Sequence, residues 1–246
     1  MGDARDEQEA LRRLLGDARA VLFDFDGPVT RLFRGVSTAP VAQEIKAAVR
    51  EIWGPLDPDV EACEDSHGIL RRIRDMYDRP APVSRSRRAL ALAEAIVTRY
   101  EYQAVEAAEP TARFTDLVDE LLKLKLTLAI VSNNAEGPVW EFLKRLGMES
   151  RFETVIGRDP YELRHMKPAS YAVDRAVQHL GLLPSSCLLV GDQLTDLEAA
   201  RAAGTRFIGY TSRQERATQM WERLADWVVP SHEPVIVAAR ALRKGK

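Results

Sequence analysis

The sequence predicts an α/β protein in which a doubly wound parallel sheet carries a second, smaller domain made only of helices. Two observations predict this class. From about residue 112 onwards, short apolar runs alternate with amphipathic helical patterns. A single helix between successive strands implies a right-handed crossover and strands that run parallel. Residues 31–110 instead contain helical patterns in succession, without a strand pattern among them.

Apolar runs of strand length build the predicted sheet. They lie at 20–25, 127–132, 187–190, 206–210 and 227–229. Helical patterns surround them at 3–18, 112–125, 136–147, 169–181, 194–203 and 213–225. Glycine follows three of these helices, at Gly147, Gly181 and Gly204, where the C-terminus of a helix favours a residue in the left-handed conformation.

The helical segment is predicted to be a cap domain inserted after the first strand. Its helical patterns, at about 39–53, 57–77 and 85–108, are separated by breaks rich in proline. We therefore predict a core formed by residues 1–30 and 111–246, with a cap formed by residues 31–110. Hinges would lie near Gly35 and Pro110, where the two parts are connected.

Composition argues against several classes of protein. The 246 residues include 35 Lys and Arg against 37 Asp and Glu, for a net charge of −2. That balance argues against a partner that is nucleic acid or a membrane surface. No apolar stretch approaches the length of a membrane span, and the charged N-terminus lacks the apolar run of a signal peptide. The two cysteines are too few for a disulfide framework, so we expect a soluble, cytoplasmic protein.

Four carboxylates follow two of the predicted strands. Asp24 and Asp26 come directly after the first apolar run, Asp192 follows the third, and Asp196 lies in the first turn of the next helix. Ligands of open α/β sheets bind beyond the carboxyl ends of the strands, so we expect these side chains to converge. Clustered carboxylates repel one another unless a cation lies between them. Mg²⁺, which prefers oxygen ligands, suits this set.

Groups suited to an anion lie beside the carboxylates. Ser132 and Asn133 follow the second apolar run. Lys167 precedes Pro168, which is predicted to be the first residue of a helix, so Lys167 would lie at the positive end of that helix. Lysine and loop amides together favour phosphate.

These residues lie in the motifs VLFDFDGPVT, AIVSNN, HMKPASY and VGDQLTDLEAARAAG. Their order and separation resemble the haloacid dehalogenase-like hydrolases that have a helical cap after the first motif, in the phosphoglycolate phosphatase-like subgroup. The resemblance covers roughly residues 20–212, and the cap matches only in position and helical character. It implies a Rossmann-like core and a Mg²⁺-dependent phosphatase. Small phosphorylated metabolites would be hydrolysed through an aspartyl-phosphate.

The resemblance also implies a role for each residue. Asp24 would be the nucleophile, while Asp26 would act first as general acid and then as general base. Ser132, the amide of Asn133 and Lys167 would bind the phosphoryl oxygens, and Lys167 would also neutralise charge in the transition state. The implied metal ligands are Asp24, Asp26 through its backbone carbonyl, Asp192, and Asp196 acting through water or by orienting Lys167.

Several alternatives stay open at this point. A phosphomutase of the same superfamily retains all four motifs, and a non-catalytic binding module could use the same scaffold. A dehalogenase is disfavoured because such relatives lack the second aspartate of the first motif, which is Asp26 here. A phosphonate hydrolase would need a cap lysine, and Lys46 is the only lysine between 31 and 110. The sequence leaves open whether the chain forms a homodimer.

Other features receive weaker interpretations. Arg31 and Arg34 either hold a second anionic group of the substrate or form a solvated hinge. Arg71, Arg72 and Arg74 are interpreted as a solvated helix face. The natural substrate cannot be identified from the sequence.

Two further points concern the first motif and the C-terminus. Pro28 replaces the Thr or Val that is usual in the family, which could alter the geometry of the loop that enters the cap. The sequence leaves open whether the tail after Pro234 packs on the core or against a partner.

Overall fold

The computed structural model describes residues 4–33 and 37–244. Its strands are β1 (Ala20–Phe23), β2 (Thr127–Val131), β3 (Thr154–Ile156), β4 (Cys187–Gly191), β5 (Arg206–Tyr210) and β6 (Trp227–Val229). Its helices are α1 (Ala4–Asp17), α2 (Ala39–Trp53), α3 (Pro58–Glu61), α4 (Ser66–Asp78), α5 (Arg88–Ala107), α6 (Phe114–Lys123), α7 (Glu136–Arg145), α8 (Tyr171–Leu180), α9 (Leu194–Ala203), α10 (Gln214–Glu222) and α11 (Glu233–Lys244). None of these helices is both long and apolar enough to cross a lipid bilayer.

The strands form one parallel sheet in the order β3-β2-β1-β4-β5-β6. Alternate residues of a strand point to opposite faces of a sheet. Val21 and Phe23 of β1 accordingly belong to one buried apolar cluster, while Ala20 and Leu22 belong to another. Helices cover both faces, as a parallel sheet requires. The predicted fold class is therefore confirmed.

The sheet contains one strand that the sequence analysis missed. The five predicted strands are all present, although β1 ends at Phe23 and not at residue 25. The additional strand, β3, has only 3 residues, too few to produce a recognisable period. It forms because it pairs with β2, where Val155 lies opposite Ile130.

The helices agree with the sequence patterns except in the cap. The single helix predicted at 57–77 is two helices, α3 and α4. The chain breaks between them because the carboxylate of Asp65 caps the N-terminus of α4 by accepting a hydrogen bond from the N–H of Gly68. Gly181 and Gly204 end α8 and α9 in the left-handed conformation, with φ of 63° and 78°.

Helices α2 to α5 enclose an apolar cluster of their own. Ile45 of α2, Ile69 and Ile73 of α4 and Val97 of α5 are fully buried in it, apart from the clusters on the two faces of the sheet. The insertion therefore has the helical character that the sequence predicts. Its boundaries at residues 31 and 110 stay predictions.

The chain leaves and re-enters the core at adjacent points. Thr30 and Pro110 pair there as an antiparallel β-bridge. The hydroxyl of Thr111 donates to the backbone oxygen of Gly27 over 2.9 Å. The two connections to the helical insertion are thus joined at the base of the first motif. The hinge predicted at Gly35 lies outside the described residues.

The tail beyond Pro234 packs on the core of its own chain. Val235 and Ile236 of α11 are buried in the same apolar cluster as Leu11 of α1. The side-chain amide of Gln8 donates to the backbone oxygen of Pro234 over 3.2 Å. This contact answers the question that the sequence left open.

Candidate active site

A cavity of about 730 Å³ opens beyond the carboxyl ends of β1 and β4. The strand order reverses here, because β2 and β3 follow β1 on one side while β4, β5 and β6 follow on the other. Phe23 lies opposite Val190, and the N–H of Asp24 donates to the backbone oxygen of Val190 over 2.9 Å. Such a switch point is where open α/β sheets bind their ligands. The predicted residues that line the cavity are Asp24, Asp26, Asn133, Lys167, Asp192 and Asp196.

Lys167 lies between two carboxylates. Its Nζ is 2.6 Å from Oδ1 of Asp24 and 2.6 Å from Oδ1 of Asp196, and it donates to the backbone oxygen of Val131 over 3.1 Å. The side chains of Lys167 and Asp196 are only 2% and 1% exposed. Buried charges persist when they are paired and hydrogen-bonded, so the lysine and the two aspartates form one charged unit.

The backbone around Lys167 differs from the prediction. Pro168 is not the first residue of a helix, since α8 begins at Tyr171. A turn closed by the hydrogen bond from the N–H of Ala169 to the oxygen of Met166, over 3.1 Å, comes first. Lys167 therefore does not lie at the positive end of a helix.

Asn133 holds the backbone of Lys167 in place instead. The N–H of Lys167 donates to Oδ1 of Asn133 over 2.7 Å, and Nδ2 of Asn133 donates to the oxygen of Lys167 over 3.3 Å. This reciprocal pair joins the second and third motifs directly.

Three carboxylates form a candidate metal site. Asp24, Asp192 and Asp196 each offer an oxygen within 4.8 Å of the others. Oδ1 of Asp192 is buried and has no hydrogen-bond partner among residues 4–33 and 37–244, a costly arrangement that a hard cation would relieve. By contrast, Lys167 engages Oδ1 of Asp196, and the N–H of Gln193 donates to Oδ2 over 2.9 Å. The donor set fits Mg²⁺ best at Asp24 and Asp192.

Asp26 lies where the chain turns from β1 towards the cap. The N–H of Leu32 donates to Oδ1 of Asp26 over 2.9 Å. Gly27 follows with a φ of 119°, and a Cβ added there would lie 2.6 Å from Cγ of Asp192. Glycine is therefore required at this position, both by the backbone conformation and by the close approach of the first and fourth motifs.

The second motif forms a tight loop after β2. Ser132 is buried and does not line the cavity. Its hydroxyl donates to Oδ1 of Asn134 over 3.0 Å and accepts from the N–H of Asn134 over 3.0 Å. Asn133 and Asn134 line the cavity in its place. The structure thus brings all the predicted site residues except Ser132 to the cavity. The side chain of Ser132 is buried and does not reach the cavity surface.

The model of one protein family, the haloacid dehalogenase-like hydrolases, matches residues 18–204. That range contains all four motifs. The chain belongs to this family.

Several relatives of the hydrolase agree with this assignment. The phosphoglycolate phosphatase of Salmonella typhimurium is 27% identical over 201 residues, which cover 80% of this chain and 68% of the relative. The phosphoglycolate phosphatase of Thiobacillus denitrificans is 27% identical over 224 residues, which cover 87% of this chain and 92% of the relative. The resemblance drawn from the motifs is confirmed, and the hydrolase is an enzyme of the phosphatase type.

Solved structures agree on the fold of the hydrolase. The crystal structure of a predicted phosphatase from Clostridium acetobutylicum aligns with a TM-score of 0.65 at 14% identity. The alignment covers 91% of this chain and 99% of that one. At 14% identity the comparison bears on the fold alone, and it supports the architecture of an α/β core with a helical insertion.

Burial and neighbouring charges shift the pKa values of the ionisable groups in the site of the hydrolase. Burial raises the pKa of Asp24 well above its usual value, and the charge of Asp196 raises it further, although Lys167 opposes both. Burial and the charge of Asp196 raise the pKa of Asp192 to about 7. Burial disfavours charged Lys167, but Asp196 and Asp24 outweigh that effect and raise its pKa. Without a cation, therefore, Asp192 takes up a proton near neutral pH.

Asp26 favours its protonated form more than a free aspartate does. Burial raises its pKa, while the hydrogen bond from Leu32 acts in the opposite direction. A raised pKa keeps more of the protonated form at neutral pH, which is what donation to a leaving group requires.

The cap supplies cavity residues that the sequence analysis did not assign. The interpretation of Arg71, Arg72 and Arg74 as a solvated face is wrong, because Arg71 lines the cavity and Arg74 is buried. His67 lines the cavity as well, with Nε2 3.0 Å from Oε1 of Glu101. The pattern of α4 alone does not reveal that one of its faces meets the core.

Besides Arg71, the arginines that line the cavity are Arg31, Arg213 and Arg216. Arg31, at the entry to the cap, lines it, whereas Arg34 lies outside the described residues. Arg216 of α10, which the sequence analysis did not single out, donates to the oxygen of Asp192 over 3.4 Å and to Oε1 of Gln193. Arg216 therefore supports the loop that carries Asp192.

A buried histidine forms a hydrogen bond to the backbone of Pro28, the residue that replaces the usual Thr or Val in the first motif. Nε2 of His232 donates to the backbone oxygen of Pro28 over 2.7 Å, across 204 residues of sequence. The ring stacks on Tyr210 with centroids 4.6 Å apart. Burial lowers the pKa of His232 to about 4, so the ring is neutral at physiological pH. His232 thereby fixes the loop that follows Asp26.

Proposed function

We propose that this enzyme is a Mg²⁺-dependent phosphatase of small phosphorylated metabolites that acts through an aspartyl-phosphate on Asp24. One observation carries the proposal. Buried Lys167 pairs with Asp24 and Asp196 at 2.6 Å, beside Asp192, whose Oδ1 is buried without a hydrogen-bond partner among the described residues. Such a site combines a nucleophile, a fixed cation and a place for a metal.

In the first step, Asp24 attacks the phosphorus atom of the substrate. Lys167 binds Oδ1 of Asp24, which leaves Oδ2 to form the new bond to phosphorus. The ester P–O bond breaks, and Asp26 donates its proton to the departing oxygen. The positive charge of Lys167 stabilises the negative charge that develops on the phosphoryl group.

In the second step, water cleaves the aspartyl-phosphate. Asp26, now a carboxylate, accepts a proton from water while the water oxygen bonds to phosphorus. The P–O bond to Asp24 breaks, which releases inorganic phosphate and restores the carboxylate. The same residue thus serves as acid and then as base, in the order that its raised pKa favours.

Mg²⁺ would be held by Asp24, Asp192 and the backbone oxygen of Asp26, with Asp196 acting through Lys167. When bound, it would neutralise the carboxylates and the phosphoryl oxygens. Ser132, Asn133 and Lys167 would bind the phosphoryl oxygens, and Ser132 would have to exchange its bond to Asn134 for one to the substrate.

A small substrate with a second acidic group fits the cavity best. Arg31, His67 and Arg71 line the cavity together with the carboxylates. The two arginines among these lining residues would bind a carboxylate or a second phosphate. The relatives named phosphoglycolate phosphatase favour a phosphorylated hydroxy acid of that kind. Residues 31–110 would act as a cap that closes over such a substrate.

The position of Lys46 disfavours a phosphonate hydrolase. Its Nζ donates to the backbone oxygen of Glu61 over 2.7 Å, and the residue does not line the cavity.

The two cysteines agree with an intracellular phosphatase. Cys63 and Cys187 are buried free thiols, in keeping with a reducing compartment such as the cytoplasm.

Phosphate release tests the proposed function. We expect hydrolysis of p-nitrophenyl phosphate and of phosphoglycolate with Mg²⁺, loss of both activities with EDTA, and loss of both in Asp24→Asn. Arg71→Met should raise KM for phosphoglycolate more than KM for p-nitrophenyl phosphate, which lacks a carboxylate. A folded wild type that releases no phosphate from a broad panel of phosphometabolites would contradict the proposal.

A further inference from the structure

Glu101 and Arg158 form a buried ion pair between the cap helix α5 and the loop after β3. Nη1 of Arg158 lies 2.8 Å from Oε1 of Glu101, and both side chains are 0% exposed. Nη2 of Arg158 also contacts Oε1 of Glu94 at 3.0 Å and Oγ1 of Thr98 at 2.9 Å. One core arginine thus engages two turns of the cap helix.

Glu101 and Arg158 also form hydrogen bonds to the loop of the second motif. Oε1 of Glu101 accepts from Nδ2 of Asn134 over 3.1 Å, and Oε2 accepts from the N–H of Ala135 over 2.9 Å. Nη1 of Arg158 donates to the backbone oxygen of Asn133 over 2.8 Å. The backbone N–H of Arg158 donates to the oxygen of Asn134 over 2.8 Å. Both backbone and side-chain groups of the loop are held.

These contacts reach Ser132 through Asn134. Because Nδ2 of Asn134 donates to Glu101, Oδ1 of the same amide faces Ser132 and accepts its hydroxyl proton. Burial opposes ionisation of Glu101, but the charges of Arg158 and His67 outweigh it and lower the pKa of Glu101 to about 2. The carboxylate therefore only accepts hydrogen bonds, and it fixes the orientation of the amide.

We propose that Glu101 and Arg158 are positioning residues that hold loop 132–135 in the geometry that binds the phosphoryl group. The cap helix α5 then helps to build the phosphate site as well as covering it. This inference rests on the proposed function. Packing alone does not account for the pair, because a buried ion pair is often no more stabilising than apolar residues of the same volume.

Glu101→Gln tests the proposal most sharply. Whichever way the new amide turns, its NH₂ group faces a donor, either Asn134 or Ala135, so one contact to the loop is lost. Glu94→Gln is the matched control, since its Oε1 still accepts from Arg158 and the residue does not touch the loop. We expect kcat/KM for p-nitrophenyl phosphate to fall roughly 10- to 100-fold in Glu101→Gln and to change less than about 3-fold in Glu94→Gln.

A second measurement separates positioning from general damage. Inhibition by inorganic phosphate should weaken in Glu101→Gln, while the Mg²⁺ concentration for half-maximal activity stays close to the wild-type value, because the network does not contact Asp192. A merely structural defect would lower the apparent kcat in proportion to the folded fraction and leave both the phosphate inhibition constant and the Mg²⁺ requirement at their wild-type values. Asn134→Ala combined with Glu101→Gln should cost little more than either change alone, since both break the same relay.

The outcomes distinguish this inference from the proposed function. A wild type without phosphatase activity would overturn the proposed function and this inference with it. An active wild type with unchanged kcat/KM and phosphate inhibition in Glu101→Gln would overturn this inference alone. If Glu101→Gln fails to fold, Glu101→Gln with Arg158→Gln removes both charges. A folded double variant with wild-type kcat/KM would then overturn it, and a folded one with weakened phosphate inhibition would support it.

Discussion

Nζ of Lys167 lies 2.6 Å from Oδ1 of Asp196, although the two residues belong to different motifs. Oδ2 of the same aspartate accepts the N–H of Gln193 over 2.9 Å. Both oxygens of Asp196 are therefore occupied by donors before any cation binds. This geometry favours the role of Asp196 as the residue that orients Lys167 over direct metal ligation. The two roles can be separated by experiment.

Asp192→Asn and Asp196→Asn should change different kinetic parameters, the Mg²⁺ requirement in the first and kcat in the second. Asp192 carries the unsatisfied oxygen, so its amide variant should raise the Mg²⁺ concentration for half-maximal activity about tenfold or more. Asp196→Asn should instead lower kcat about 10- to 100-fold, because an NH₂ group faces either Lys167 or Gln193. Steady-state kinetics across a Mg²⁺ titration measures both. Asp174→Asn, an exposed change on α8, is the control.

If Asp196→Asn shifted the Mg²⁺ requirement as strongly as Asp192→Asn, Asp196 would be a metal ligand after all. The orienting role would then be wrong.

Lys167→Met should lower kcat by about 10²- to 10³-fold. Methionine keeps much of the length of the side chain but removes the charge that faces the transferred phosphoryl group. It also leaves Asp24 and Asp196 close together without their shared cation, which should destabilise the fold by about 3–5 kcal/mol. Activity assays and urea unfolding measure the two effects. Lys144→Met, at an exposed position on α7, should change neither.

The affinity for Mg²⁺ should depend on pH near neutrality. The pKa of Asp192 is raised to about 7 and that of Asp24 is also raised, so protons compete with the cation for the same oxygens. Lowering the pH from about 8 to about 6 should therefore weaken Mg²⁺ binding by roughly tenfold. Isothermal titration calorimetry in buffers of different ionisation enthalpy would also detect the released proton. An affinity that did not change with pH would contradict the assignment.

Sequence reasoning was sufficient for the central strands and for the convergence of the four motifs at one cavity. β1 and β4 are short buried apolar runs followed by Asp24 and Asp192, and a parallel sheet brings such strand ends together without further information. β3 could not be found in this way, because three residues carry no period. The apolar residues of α11 do recur at helical spacing, at Val235, Ile236, Ala238 and Ala239, so that helix was within reach of the same reasoning.

The residues that support the motifs were beyond the sequence. Arg158 meets Glu101 across 57 residues, and His232 meets Pro28 across 204. No local pattern connects such pairs, since they meet only when the cap and the last helix have packed. Arg71 was misinterpreted for the same reason. The amphipathic pattern of a helix separates buried from exposed faces, but it does not tell which exposed residues border a cavity.

The buried neutral His232 should make stability depend on pH. Its pKa falls from 6.5 to about 4 on folding, so the unfolded chain binds the extra proton first. The corresponding stability is fully present above pH 6.5 and is lost as the pH falls towards 4. A shift of this size corresponds to about 3 kcal/mol. Urea unfolding across this range should show a weaker pH dependence in His232→Gln than in the wild type.

His179→Gln provides the control for that experiment, because His179 is exposed on α8. An unfolding free energy whose pH dependence were the same in His232→Gln and His179→Gln would refute the linkage.

Trapping of the covalent intermediate tests the central claim most directly. In Asp26→Asn, p-nitrophenyl phosphate should still phosphorylate Asp24, because nitrophenolate leaves without a general acid. Hydrolysis of the intermediate should be slow, because no base activates water. Acid quenching followed by peptide mass spectrometry should find one phosphoryl group on the peptide that contains Asp24. Release of nitrophenolate with an unmodified Asp24, or with the phosphoryl group on another residue, would contradict the account.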